Sequence, residues 1–155
     1  MKKFVTAALL TSATSAFAAG QFSPLISYER VYSEPSTVTS ETSGMLNAAI
    51  EYTFPRSLSV YGGVQFLQAD GTETSAQVGA RFYTPSPLFY INGQMPVWPY
   101  IGLGANLLSH AAYYPEIGIR FGISPNIRLD AFVKTYNSND LDYDKHATLG
   151  IGLSF

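Results

Sequence analysis

Between Lys145 and Phe155 the chain reads KHATLGIGLSF, and apolar and polar positions alternate one for one. Ala147, Leu149, Ile151, Leu153 and Phe155 fall on one face, with His146, Thr148, Gly150, Gly152 and Ser154 on the other. A period of two is that of a β-strand, and these two faces are built for different surroundings. The alternation recurs upstream. Gln21 to Tyr32 is its least regular copy, with Ile26 and Tyr28 opposed to Ser23, Leu25, Ser27 and Glu29. Arg30 then lands on the apolar side, where only a position near an interface suits it. Leu46, Ala48, Ile50, Tyr52 and Phe54 oppose Asn47, Ala49, Glu51 and Thr53; Leu58, Val60, Val64 and Phe66 oppose Ser59, Tyr61, Gly63 and Gln65. Ala76, Val78, Ala80 and Phe82 oppose Ser75, Gln77, Gly79, Arg81 and Tyr83.

Further on, Val97, Pro99, Ile101, Leu103, Ala105 and Leu107 oppose Trp98, Tyr100, Gly102, Gly104 and Asn106. Tyr113, Pro115, Ile117, Ile119 and Phe121 oppose Tyr114, Glu116, Gly118, Arg120 and Gly122. Ile127, Leu129, Ala131 and Val133 oppose Arg128, Asp130, Phe132, Lys134 and Tyr136. Polar loops separate the copies at Ser33 to Gly44, Ala69 to Thr74, Ser109 to Ala111 and Asn137 to Asp144, and turns do so at Pro55 to Ser57, Thr84 to Pro96 and Ser124 to Asn126. Thr84 to Pro96 carries three prolines. Proline is excluded from a central strand, so this stretch is expected to be a long turn and not a ninth strand.

Eight strands of about ten residues match what a tilted strand needs to cross hydrocarbon. Backbone groups in lipid must all be paired, so such strands have to close into a ring. The expected fold is therefore all-β, an eight-stranded antiparallel up-and-down transmembrane β-barrel with its apolar face outward. A soluble barrel of the lipocalin kind would swap the faces. Charge argues against that: Glu51, Arg81, Glu116, Arg120, Asp130 and Lys134 share faces with small residues, while the opposite faces are almost uncharged.

Composition adds to this picture. Charged residues are 13% of the chain, about half the usual share, yet mean hydropathy is only +0.08, as interleaved lipid-facing and lumen-facing positions would give. Lys2 and Lys3, the apolar run Phe4 to Leu10, and Ala16-Phe17-Ala18 have the layout of a cleavable secretory signal peptide. Residues 1–18 are expected to be that leader and 19–155 the barrel domain, exported to a bacterial outer membrane. Two of the nine basic residues leave with the leader, so seven face eleven acids, and a nucleic-acid partner is not expected. Cysteine is absent, which removes disulfides and thiolate metal sites.

Four stretches, AAIEYTFPRSLSVYGGVQF (Ala48 to Phe66), WPYIGLGANLL (Trp98 to Leu108), EIGIRFGISPNIRLDAFVKTY (Glu116 to Tyr136) and the terminal GIGLSF, resemble the small eight-stranded outer-membrane barrels of the OmpA/OmpX kind, the opacity-type porin family. The resemblance spans nearly the whole mature chain, but its motifs are those of a barrel and not of an activity. It implies a monomeric integral outer-membrane protein in contact with lipid and lipopolysaccharide. Periplasmic chaperones and the barrel-assembly machinery would deliver it, the latter reading Leu149, Ile151, Leu153 and Phe155 as an insertion signal.

An eight-stranded barrel is just wide enough for side chains to fill. Inward Glu29, Glu51, Glu116 and Asp130 balance Arg81, Arg120, Arg128 and Lys134, so an ion-pair network plugging the lumen is expected, since unpaired buried ions are costly. Inward glycines make room for inward tyrosines. The alternative is a narrow porin for small solutes. A lipid A-modifying enzyme is the other, its catalytic candidates Ser109 and His110. Adjacent strand residues point to opposite faces, so those two do not easily serve each other as nucleophile and base. Asp140, Asp142 and Asp144 offer hard oxygen ligands for a cation but lack the glycine and closing glutamate of a calcium loop. The expectation is a non-enzymatic protein with no cofactor and no resident metal.

Overall fold

The computed structural model describes residues 20–33, 44–55, 57–68, 72–107, 111–138 and 144–155. The expected leader lies outside them. Ten strands run β1 (Gln21–Ser33), β2 (Gly44–Thr53), β3 (Leu58–Gln68), β4 (Thr72–Tyr83), β5 (Phe89–Ile91), β6 (Met95–Leu107), β7 (Ala112–Ser124), β8 (Ile127–Thr135), β9 (Asn137–Ser138) and β10 (Ala147–Ser154). Among the described residues there is no helix. The eight long strands pair antiparallel in chain order, β4 with β6 and β8 with β10 across the two short ones. β1 pairs with β10, Ile26 opposite Leu153 and Tyr28 opposite Ile151, so the ring closes and has no free edge. The fold is a closed eight-stranded antiparallel barrel.

The faces divide as the period of two requires. Leu149 and Ile151 are 57% and 59% exposed, whereas Arg81 is 1% and Arg120 4% exposed. Ile101, Leu103 and Ile117 are likewise turned out of the ring. Arg30, near the loop end of β1, is the single ionised side chain on the outward face of the described strands. Such an apolar exterior has no stable place in water; it marks a surface that faces lipid. The end of the barrel holding the β2–β3, β4–β6 and β7–β8 turns also carries outward aromatics. Phe22, Tyr52 and Phe54 stack there with ring centroids 4.6 and 4.7 Å apart. Phe82 and Phe155 join them on the exposed surface. Aromatic girdles of this kind sit at the edges of a bilayer's hydrocarbon.

The loops expected at Ser33 to Gly44 and Ala69 to Thr74 are shortened, since β1 includes Ser33, β2 starts at Gly44 and β4 starts at Thr72. Three further features depart from the sequence expectation. Thr84 to Pro96 is not a plain turn: β5 forms a hairpin with the start of β6, Phe89 opposite Val97 and Ile91 opposite Met95. The prolines do not prevent it, because the hairpin projects past the end of β4 and needs few ladder bonds. Asn92 and Gly93, with φ of 52° and 70°, supply the left-handed turn, closed by the Gln94 N–H on the Ile91 carbonyl at 3.2 Å. Val97, expected on lipid, is 1% exposed because it sits between two large register partners, Phe89 on β5 and Phe121 on β7. Finally, Asn137 and Ser138, expected to open a loop, form β9 and prolong the β8 register on β7.

Candidate functional site

The barrel interior is stacked in layers that β8 and Tyr136 just after it measure out, with Arg128, Asp130, Phe132, Lys134 and Tyr136 pointing inward in turn from the turn end to the loop end. The middle layer is an ionic cluster. Arg81 places Nη2 2.8 Å from Glu116 Oε1 and Nη1 3.0 Å from Asp130 Oδ2, with Glu51 Oε1 at 3.6 Å. Arg120 grips Asp130 with two donors, Nε to Oδ1 and Nη2 to Oδ2, both 2.7 Å, and its Nη2 also reaches Glu51 Oε2 at 2.9 Å. Paired planar donation of this sort is what a guanidinium does best. Hydroxyls finish the carboxylates: Ser59 Oγ donates to Glu51 at 2.7 Å, and Tyr100 Oη donates to Glu116 at 2.7 Å.

The next layer toward the loops centres on Glu29. Lys134 Nζ lies 2.6 Å from its Oε1, which also accepts from Asn47 Nδ2 at 2.7 Å. Its Oε2 accepts from Tyr136 Oη and Thr148 Oγ1, each at 2.9 Å. Gln65 then donates to Tyr136 Oη at 3.0 Å, linking β3 to the network. Beyond it Met45, Leu67, Ala112, Tyr114 and Tyr136 form an apolar cap with Val31 against it. Alternation pointed to the ionic layers and to Tyr114 and Tyr136 of this cap, but not to Met45, Leu67 or Ala112. Met45 and Leu67 lie two residues beyond inward Asn47 and Gln65, so extending the strands by one inward position would have found them.

Between the ionic layers, rings lie on glycines. Tyr61 faces Gly79, Tyr100 faces Gly118, Tyr114 faces Gly104 and Phe132 faces Gly150, each pair in register on adjacent strands. A Cβ on any of these glycines would meet the ring opposite. The rings in turn flank the cations: Arg81 lies 4.8 Å from the Tyr61 centroid and 5.1 Å from that of Tyr100, and Lys134 lies 4.6 Å from that of Tyr114. Cation–π attraction adds to the ion pairs in this buried setting.

Of the eight ionisable residues singled out from the sequence, seven thus meet in the two ionic layers. Arg128 does not. It stands one layer nearer the turn end, and its Nη2 donates to Gln21 Oε1 at 2.5 Å. The middle layer sets Arg81 and Arg120 against Glu51, Glu116 and Asp130, so Arg128 balances its charge from a distance. Ser109, His110, Asp140 and Asp142 lie outside the described residues. Asp144 is described: its Oδ1 accepts from the Ser138 N–H at 3.2 Å, and Lys145 Nζ lies 3.6 Å from Oδ2. Leu149, Ile151, Leu153 and Phe155 make an exposed outward row along β10 and its end.

No protein-family model matches this chain, and no curated protein matches it. A solved structure does, from work described as "De novo design of transmembrane beta-barrels"; it is 12% identical, with a TM-score of 0.58, over 91% of this chain and 98% of the other. At that identity the likeness concerns the fold, a transmembrane β-barrel.

Proposed function

We propose that this chain is an integral barrel of the outer membrane of a Gram-negative-type envelope, structural or surface-interacting, with a lumen plugged by its own side chains. The supporting observation is the continuous interior, in which ionic layers, tyrosines seated on glycines and an apolar cap follow one another along the axis. A non-enzymatic anchor in the wall uses such an interior for rigidity and seals it against solutes. The aromatic turn end would face the periplasm and the longer loops the outside, in keeping with the usual arrangement of such barrels.

Liposome swelling tests the plug. Vesicles holding the purified protein should swell in a small-sugar gradient no faster than protein-free vesicles. Stable conducting channels in planar bilayers would instead support a narrow pore.

A further inference from the structure

Arg128 lines a cavity of about 210 Å³ at the turn end of the barrel, together with Arg120, Thr53, Tyr83 and Trp98. Two donors there lack a partner. Arg128 Nη1 and Thr53 Oγ1 are both shielded from solvent, and neither makes a hydrogen bond. Carboxylates are not at hand to fill the need. Arg120 holds both Glu51 and Asp130, and Tyr83 Oη already donates to Glu51 at 3.2 Å. The register neighbours of Arg128 are Gly122 and Ser154, which bring no negative charge.

An unsatisfied guanidinium N–H and an unsatisfied hydroxyl, carried by two residues that line one small recess, ask for an acceptor with several lone pairs. Water's share of liquid volume is about 30 Å³, so the space exceeds what one bridging water needs. It is smaller than the ~300 Å³ where pockets for drug-sized ligands begin. We propose that this recess is a binding site for a small soluble oxyanion of the phosphate or carboxylate class, held by Arg128 and Thr53 once Nη1 and Oγ1 turn out from the wall. The cavity is lined chiefly by lumen-facing residues, so entry is along the barrel axis from water and not sideways from the bilayer. The lumen's charges already balance, so hydrogen bonds do more than net charge, and roughly millimolar affinity is expected. The site is independent of whether the lumen above it conducts.

Trp98 is the only tryptophan in the chain and lines the same cavity, so it reports occupancy without a label. Inorganic phosphate should change Trp98 emission saturably at constant ionic strength, in protein refolded into phosphatidylcholine vesicles, while chloride should not. Arg128→Gln should weaken the half-saturating concentration at least tenfold, and Thr53→Val several-fold. A gel shift on boiling confirms that each variant is folded. Should Arg128→Gln fail to fold, Arg128→Lys replaces it and should also weaken binding, since lysine cannot reproduce the fork. A linear or absent response, or unchanged midpoints in the folded variants, overturns the site. Phosphatidylglycerol vesicles that saturate the signal before phosphate is added would assign it to a lipid headgroup and overturn the soluble ligand.

Discussion

Arg81 shows how much one side chain can organise. Its guanidinium touches carboxylates from β2, β7 and β8 and lies among the rings of Tyr61, Tyr100 and Phe132. Removing it leaves those acids buried with fewer counter-charges, and breaking a buried pair one-sidedly costs about 3–5 kcal/mol. Arg81→Met should therefore lower unfolding free energy by about that amount, measured by urea titration in lipid vesicles. A second substitution, Glu116→Gln, should restore part of it, because the two side chains share one interaction. Gly118 is a subtler case. A methyl group there meets the Tyr100 ring, which donates to Glu116. Gly118→Ala should cost about 1–3 kcal/mol by overpacking, and a mutation at outward-facing Gly62, where a Cβ meets only ordinary contacts, should cost less in the same titration.

The strands were legible because a period of two needs no partner to be seen. Which side chain faces in follows from it for β2, β4, β7 and β10 without exception. Ion-pair partners were not legible in the same way. Glu51 and Arg120 are 69 positions apart, and their meeting depends on how far the strands stagger when the ring closes, which no local pattern encodes. The β5 hairpin was hidden for another reason. Its prolines are strand breakers only where a ladder must run on both sides, and β5 lies beyond the end of β4. The hairpin is an appendage, and its turn can be strained without touching the ring. A Cβ at Gly93 would meet open space, so Gly93→Val is penalised only by its left-handed backbone, at about 1–2 kcal/mol. That loss should stay local: hydrogen exchange of Ile91 and Val97 should quicken while the urea midpoint of the whole barrel holds.

At the scale of the molecule the structure is a soluble protein turned inside out, with polar contents and a greasy wall. Leu103 is 63% exposed in the middle of β6. An arginine there would be harmless in water, but near the bilayer midplane it costs about 2–4 kcal/mol. Leu103→Arg should lose that stability in vesicles, and a neutral result would argue against a lipid-facing wall. A boiled sample should also migrate differently from an unboiled one in detergent gels, since heat opens the ring.

The reach of the interior contacts has a kinetic consequence. Lys134 meets Glu29 across 105 positions of chain, and β1 meets its last strand only when everything between is in place. A half-inserted intermediate would have to leave several of these ions bare within hydrocarbon. Threading the membrane strand by strand is thereby discouraged, and crossing and zipping shut are made to happen together.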